Sequence, residues 1–168
     1  IDGAKEFVEG IPNFVISIGL VENGEPILGV IHSPINKDMY TAKKGDGIHF
    51  NGEPVELSGL NDFSKMKMLN SRSETKKGLW KPYKSHFKEL LPIGSIALKL
   101  AMVAAGQADI VASLRPKNEW DLCAGHCLIN EAGGQLLTTN GEEITYNNPQ
   151  TLMQQGPNEV RVEVQRAI

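Results

Sequence analysis

Cysteine is scarce in this sequence. Cys123 and Cys127 are the only two among 168 residues, and they stand one helical turn apart. That spacing puts both on one face of a helix and implies no disulfide framework. His126 lies between them, so a metal site has to be weighed. Structural zinc takes four well-placed ligands, however, and no second Cys or His pair appears, so the spacing fits small buried side chains better. No apolar run approaches the length of a membrane span, and no signal-peptide pattern is visible. A strong charge of one sign is missing too: the formal net charge is −3 with no long basic run, which argues against a nucleic-acid polymer as partner. Internal repeats and low-complexity segments are also absent. The expectation is a soluble, cytoplasmic chain without a membrane partner, whose 40% hydrophobic content suffices for one domain or two small ones.

What the chain does have is a distinctive stretch at residues 120–134, WDLCAGHCLINEAGG. An acid beside a Trp opens it, Ala124 and Gly125 keep it slim, and Leu122, Ile129 and Ala132 give it apolar contacts. Gly133-Gly134 supplies the usual C-terminal stop of a helix. Asp121 then falls at the helix start, where free N–H groups and the positive end of the macrodipole hold a carboxylate ionised and able to bind a cation. The plainer alternative is an N-cap with no further role. At the other end of the chain Asp2 directly precedes Gly3, a place where backbone N–H groups can turn toward an anion.

Between these ends the pattern changes once. Phe14, Ile16, Ile18 and Leu20 alternate with Val15, Ser17 and Gly19 in the period of a strand. Asn23-Gly24 is a hairpin signal, and strands are expected over Pro26–His32, Met39–Ala42, Ile48–Phe50 and Val55–Leu57. This is an antiparallel meander over residues 1–60. Residues 61–168 read as a smaller α/β unit. Lys65–Asn70 is a short strand and Ser71-Arg72-Ser73 a polar turn, and a helix broken by Pro82 runs to about Leu90. A clear helix begins at Gly94-Ser95 and stops at Gly106. Ile110–Ala112 is a strand, Arg115–Glu119 a polar loop, and Gln135–Thr138 a strand after the Trp120 helix. In the tail Val160, Val162 and Val164 alternate as a strand would, whereas Val160, Val164 and Ile168 fit a helix face; Asn158 as a cap favours a helix.

Ile1-Asp2-Gly3-Ala4-Lys5-Glu6-Phe7 and the later Trp120-Asp121 helix closing in Glu131-Ala132-Gly133-Gly134 resemble, in this order and separation, the inositol monophosphatase superfamily of metal-dependent phosphomonoesterases. Gly29-Val30, Pro34, Tyr40-Thr41-Ala42 and Gly45-Asp46-Gly47 fit the same pattern. The resemblance implies a layered sugar-phosphatase fold, here α+β with an α/β part, and Mg²⁺ as cofactor. It assigns Asp2 and Asp121 as catalytic carboxylates and, with the carbonyl of Ile1, as metal ligands. Gly3 and Ala4 would hold phosphate through their N–H groups, and Ser95, Lys99 and Arg115 would bind substrate.

The same comparison implies that a Glu-bearing motif, a further Asp and two helices belong upstream of Ile1, so the sequence reads as the C-terminal part of such an enzyme. With Asp2 and Asp121 alone, with Ala4 where the family has a hydroxyl, and with a charged amino group on Ile1 if that is the terminus, this piece is expected to be inactive or nearly so. Lys5-Glu6-Phe7, Ser71-Arg72-Ser73 and Lys99 are similar to the branch acting on 3′-phosphoadenosine 5′-phosphate, although Glu74 stands where that branch often has His. The alternative substrate is an inositol or sugar monophosphate. A different class of answer is a non-catalytic nucleotide-binding or self-associating module, since sheet surface stripped of upstream helices favours a homo-oligomer. Trp80 and Tyr83 can stack on a base, but packing is the plainer role. His32, His49 and His86 suggest no function, and Lys43-Lys44 and Lys76-Lys77 read as solvated surface.

Overall fold

Ile16, Ile18 and Leu20 point to one side of strand β1 (Ile16–Glu22), and Ser17, Gly19 and Val21 point to the other. In the computed structural model, which describes residues 1–149 and 160–161, β1 opens a meander. β2 (Glu25–Ser33), β3 (Asp38–Lys43), β4 (Gly47–Phe50) and β5 (Glu53–Val55) follow, each antiparallel to the one before. Two Asn-Gly turns of the meander carry positive φ at each residue, 51° and 80° at Asn23-Gly24 and 50° and 85° at Asn51-Gly52, the geometry that matches a tight turn to the strand twist. The fifth strand lies two residues earlier than its expected start, and Leu57 is instead a buried loop residue.

The second sheet has the order β7-β6-β8-β10-β9. β6 (Lys67–Ser71) runs parallel to β7 (Glu89–Ile93) on one side and to β8 (Ile110–Ser113) on the other. β10 (Val160–Arg161) lies antiparallel between β8 and β9 (Leu137–Thr138). The sequence does not anticipate β7. Where a broken helix is expected there are a one-turn helix α2 (Arg72–Lys76), a 3-10 turn (Lys81–His86), and then this strand. Pro92, which reads as a breaker, is tolerated because β7 is an edge. Where the tail helix is expected, Val160–Arg161 form a short strand; the rest of that helix, residues 162–168, lies outside the described part.

Helices α3 (Ile96–Ala104) and α4 (Glu119–Glu131) fill the space between the sheets. α4 is seated by missing side chains. A Cβ on Gly29 would stand 2.4 Å from the carbonyl oxygen of Ala124, one on Gly19 2.5 Å from Cys123 Sγ, and one on Gly125 2.5 Å from Leu100 of α3. One core therefore runs from Val15 and Ile31 in the first sheet through Leu122 and Leu128 to Leu100 and Val111 in the second half. β5 ends before residue 60 and β6 begins after it, and α4 packs on the first sheet as well as on α3. Cys123 and Cys127 are buried free thiols, as their spacing suggested.

Candidate active site

Asp2 is held by the sheet and by α3 at once. Its backbone exchanges two 2.9 Å hydrogen bonds with Val15, which continues the meander by one bridge. Gly3 then turns with φ +87°, where a Cβ would meet the carbonyl oxygen of Asn13 at 2.6 Å, so only glycine fits between Asp2 and the short helix α1 (Ala4–Val8). The Asp2 Oδ2 accepts hydrogen bonds from the Ser95 hydroxyl and, at 2.9 Å, from the Ala97 N–H. Ser95 is the N-cap of α3 in a left-handed conformation, φ 59°, and its Oγ also accepts from the Leu98 N–H at 3.1 Å.

Asp121 comes from α4. The helix begins earlier than the sequence suggests: Asn118 is the cap, and Asp121, three residues in, accepts its N–H through Oδ2 at 2.9 Å. The expectation that the helix start holds this carboxyl low is also corrected. Burial raises its pKa, the Asn118 N–H pulls it down, and the charge of Asp2 adds to the rise. Two carboxylates far apart in the sequence thus line one cavity, and the charge of Asp2 raises the cost of ionising Asp121.

That space is a cavity of about 250 Å³. Gly3, Ala4, Ser95, Lys99, Asp2 and Asp121 all line it, as do Ser71 and Ser73. Lys99 is only 3% exposed and donates from Nζ to the Ile93 carbonyl at 2.9 Å. Burial first, then the nearby Lys117, bring its pKa down to about 8, against the pull of Asp2, Glu74 and Glu6. Two expected residues are not brought in. Arg115 is exposed and does not line the cavity, and neither does Ile1, which is 77% exposed. Two residues later in the same loop, Lys117 does.

The supporting residues are ones the sequence leaves unassigned. Glu6 is buried where Gly94 has no side chain and accepts from Arg72 at 3.2 Å, while Arg72 also reaches Glu9 at 3.5 Å. Arg72 thereby ties α1 to α2. Glu74 is wholly buried: Oε2 accepts from Trp80 Nε1 at 2.8 Å, and Oε1 accepts from the Ser113 hydroxyl at 2.9 Å and the Leu114 N–H at 3.2 Å. Trp80 is therefore a core residue, stacked edge-on with Tyr83, and no platform for a base. His126 is engaged elsewhere, with Nδ1 2.9 Å from the Tyr146 hydroxyl.

Two layers of sheet and helix, with two acids, serine hydroxyls and lysines around one small polar cavity, define an α+β fold with a polar site between its layers. The chain belongs to the inositol monophosphatase family, which matches it over residues 1–166. It is 37% identical over 151 residues to the fructose-1,6-bisphosphatase/inositol-1-monophosphatase of Thermotoga maritima, covering 85% of this chain and 56% of that protein. It is 31% identical over 158 residues to the 3′(2′),5′-bisphosphate nucleotidase CysQ of Escherichia coli, covering 93% and 63% respectively. Among solved structures the Thermotoga maritima IMPase superposes with a TM-score of 0.79 at 31% identity, over 96% of this chain and 60% of that one. The chain thus spans a little over half the length of these relatives.

Mg²⁺ fits the donor set in kind. Asp2 and Asp121 offer only oxygen, and Mg²⁺ is commonly held by one or two carboxylates together with water and a substrate phosphate. Among the described residues no group of three or more His, Cys, Asp or Glu side chains forms a metal cluster.

Proposed function

We propose that this chain is part of a Mg²⁺-dependent phosphomonoesterase acting on a small phosphorylated molecule, with Asp2 and Asp121 as its two cation-holding carboxylates. The observation that carries this reading is their convergence, with Gly3, Ala4 and Lys99, on one cavity. Mg²⁺ supplies Lewis-acid neutralisation of a phosphoryl group. The Ser95 hydroxyl and the Ala97 N–H fix the rotamer of Asp2, so that it meets the cation without reorganising. The N–H groups of Gly3 and Ala4 orient the phosphate, and Ser95 and Lys99 contact the rest of the substrate. A role for Arg115 or for the Ile1 carbonyl needs a side chain or a neighbouring segment to move inward.

The finer reading is 3′-phosphoadenosine 5′-phosphate as substrate. It draws on the similarity to CysQ and on a buried cation, Lys99, beside the two acids. An inositol or sugar monophosphate is the rival, and serine hydroxyls on the cavity wall favour it. Phosphate release from 3′-phosphoadenosine 5′-phosphate and from inositol 1-phosphate, with and without Mg²⁺, separates them. It is to be measured on this chain and on a protein of the relatives' full length. The longer protein is expected to release phosphate only with Mg²⁺ and preferentially from the nucleotide, with Asp121→Asn lowering the rate roughly a hundredfold or more. This chain is expected to show little turnover. Preference for the inositol ester removes the nucleotide, and turnover insensitive to Asp121→Asn removes the site.

A second reading, self-association, rests on a separate observation. Ile16, Ile18 and Leu20 are 43%, 57% and 54% exposed on an edge strand, and the outward row continues into Leu28 and Val30 of β2. An apolar outer face on an open edge favours pairing with a second copy.

A further inference from the structure

Lys117 has no counterpart in the roles drawn from sequence, yet it is the cation that the β8–α4 loop delivers to the cavity. That loop is pinned at both ends. Ser113 and Leu114 hang from the buried carboxylate of Glu74, and Asn118 is fastened to Asp121. Pro116 stiffens the stretch between. Lys117 is half-buried on this strap, facing the same space as Lys99 and Asp121, while Arg115 on the same loop is exposed and turned out of it. Among the described residues neither Lys99 nor Lys117 has a carboxylate within ion-pair distance. Lys99 and Lys117 line one small cavity near enough to repel one another, and the acids that share it, Asp2, Glu6 and Asp121, stand beyond ion-pair distance of both, so an anion seated between the two ammonium groups relieves a repulsion that the fold leaves in place.

We infer that Lys117 is a specificity-determining residue, which with Lys99 forms a seat for a second anionic group of the substrate, apart from the phosphate held at Asp2 and Asp121. The inference rests on the phosphatase reading and adds to it the residue that distinguishes doubly from singly charged substrates. Lysine acts here as a point charge, so the seat selects for charge and position rather than for the shape of the group.

Calorimetric titration of this chain in the absence of divalent metal, where nothing turns over, tests it with three compounds: 3′-phosphoadenosine 5′-phosphate, adenosine 5′-monophosphate and inositol 1-phosphate. The bisphosphate is expected to bind about tenfold more tightly than either monophosphate. Lys117→Met should abolish that preference while leaving the two monophosphates nearly unchanged, and Arg115→Met should leave the preference intact. A preference that survives Lys117→Met, or is lost in Arg115→Met, overturns the inference and leaves the phosphatase reading standing. If the unaltered chain binds none of the three, the reading beneath it falls as well. Circular dichroism of each variant separates lost binding from lost fold.

Discussion

His126 shows how far burial can move a single group here. It is almost wholly enclosed beside Tyr146, and desolvation brings its pKa from 6.5 down to about 4. The unfolded chain therefore binds a proton between those values that the folded chain refuses, so stability falls as pH drops from about 6.5 toward 4 and is unaffected above that window. The loss expected from this one residue is about 3 kcal/mol, and urea titrations of the native chain and of His126→Gln across pH 4–7 check it: the variant's curve should be flatter. Single residues were unevenly legible in the sequence. Asp2 and Asp121 are readable because each sits in a pattern that glycine and tryptophan make rare. Lys117 is not, because a lysine in a polar loop looks the same whether it faces solvent or a cavity, and only the two anchors of the loop decide. Glu74 is hidden for the opposite reason: a Glu flanked by Arg72, Lys76 and Lys77 reads as solvated surface and gives no sign that Trp80, Ser113 and Leu114 will enclose it.

At the scale of elements, the meander follows from period-two alternation and two Asn-Gly turns, local signals that the tertiary structure leaves untouched. β7 runs against its local signal, since Pro92 contradicts a strand and only its place at the sheet edge permits it. α4 depends on contacts no window of sequence can see. Its fit between sheet and α3 relies on Gly19, Gly29 and Gly125, far apart in the chain. Gly29→Ala pits a methyl group against the Ala124 carbonyl, a backbone atom that cannot swing aside, and should cost roughly 3 kcal/mol or more. Thermal unfolding of Gly29→Ala against Gly45→Ala provides the check, because Gly45 has open space around it and only its positive φ to lose. Comparable losses from both would mean that backbone conformation, and not the seating of α4, decides.

At the scale of the whole molecule, the outer face of β1 and β2 is a side that the described residues leave uncovered. If the outer face of β1 and β2 is the surface through which copies meet, sedimentation should show mass rising with concentration, and Ile18→Lys should return it toward the monomer without lowering the melting temperature. A native chain that stays monomeric at high concentration removes that proposal. The layered architecture itself was visible in advance as a meander followed by mixed helices and strands. How the two parts interlock was not, because the core that joins Val15 and Ile31 to Leu100 and Val111 is made by long-range packing.

The two thiols of α4 give the molecule an internal clock. Burial pushes Cys123 up to about 11 and Cys127 up to about 12, so both stay un-ionised and walled off at neutral pH. An alkylating reagent can reach them only when the helix leaves its glycine seat. Their labelling rate therefore counts how often the centre of the protein opens, with no residue changed.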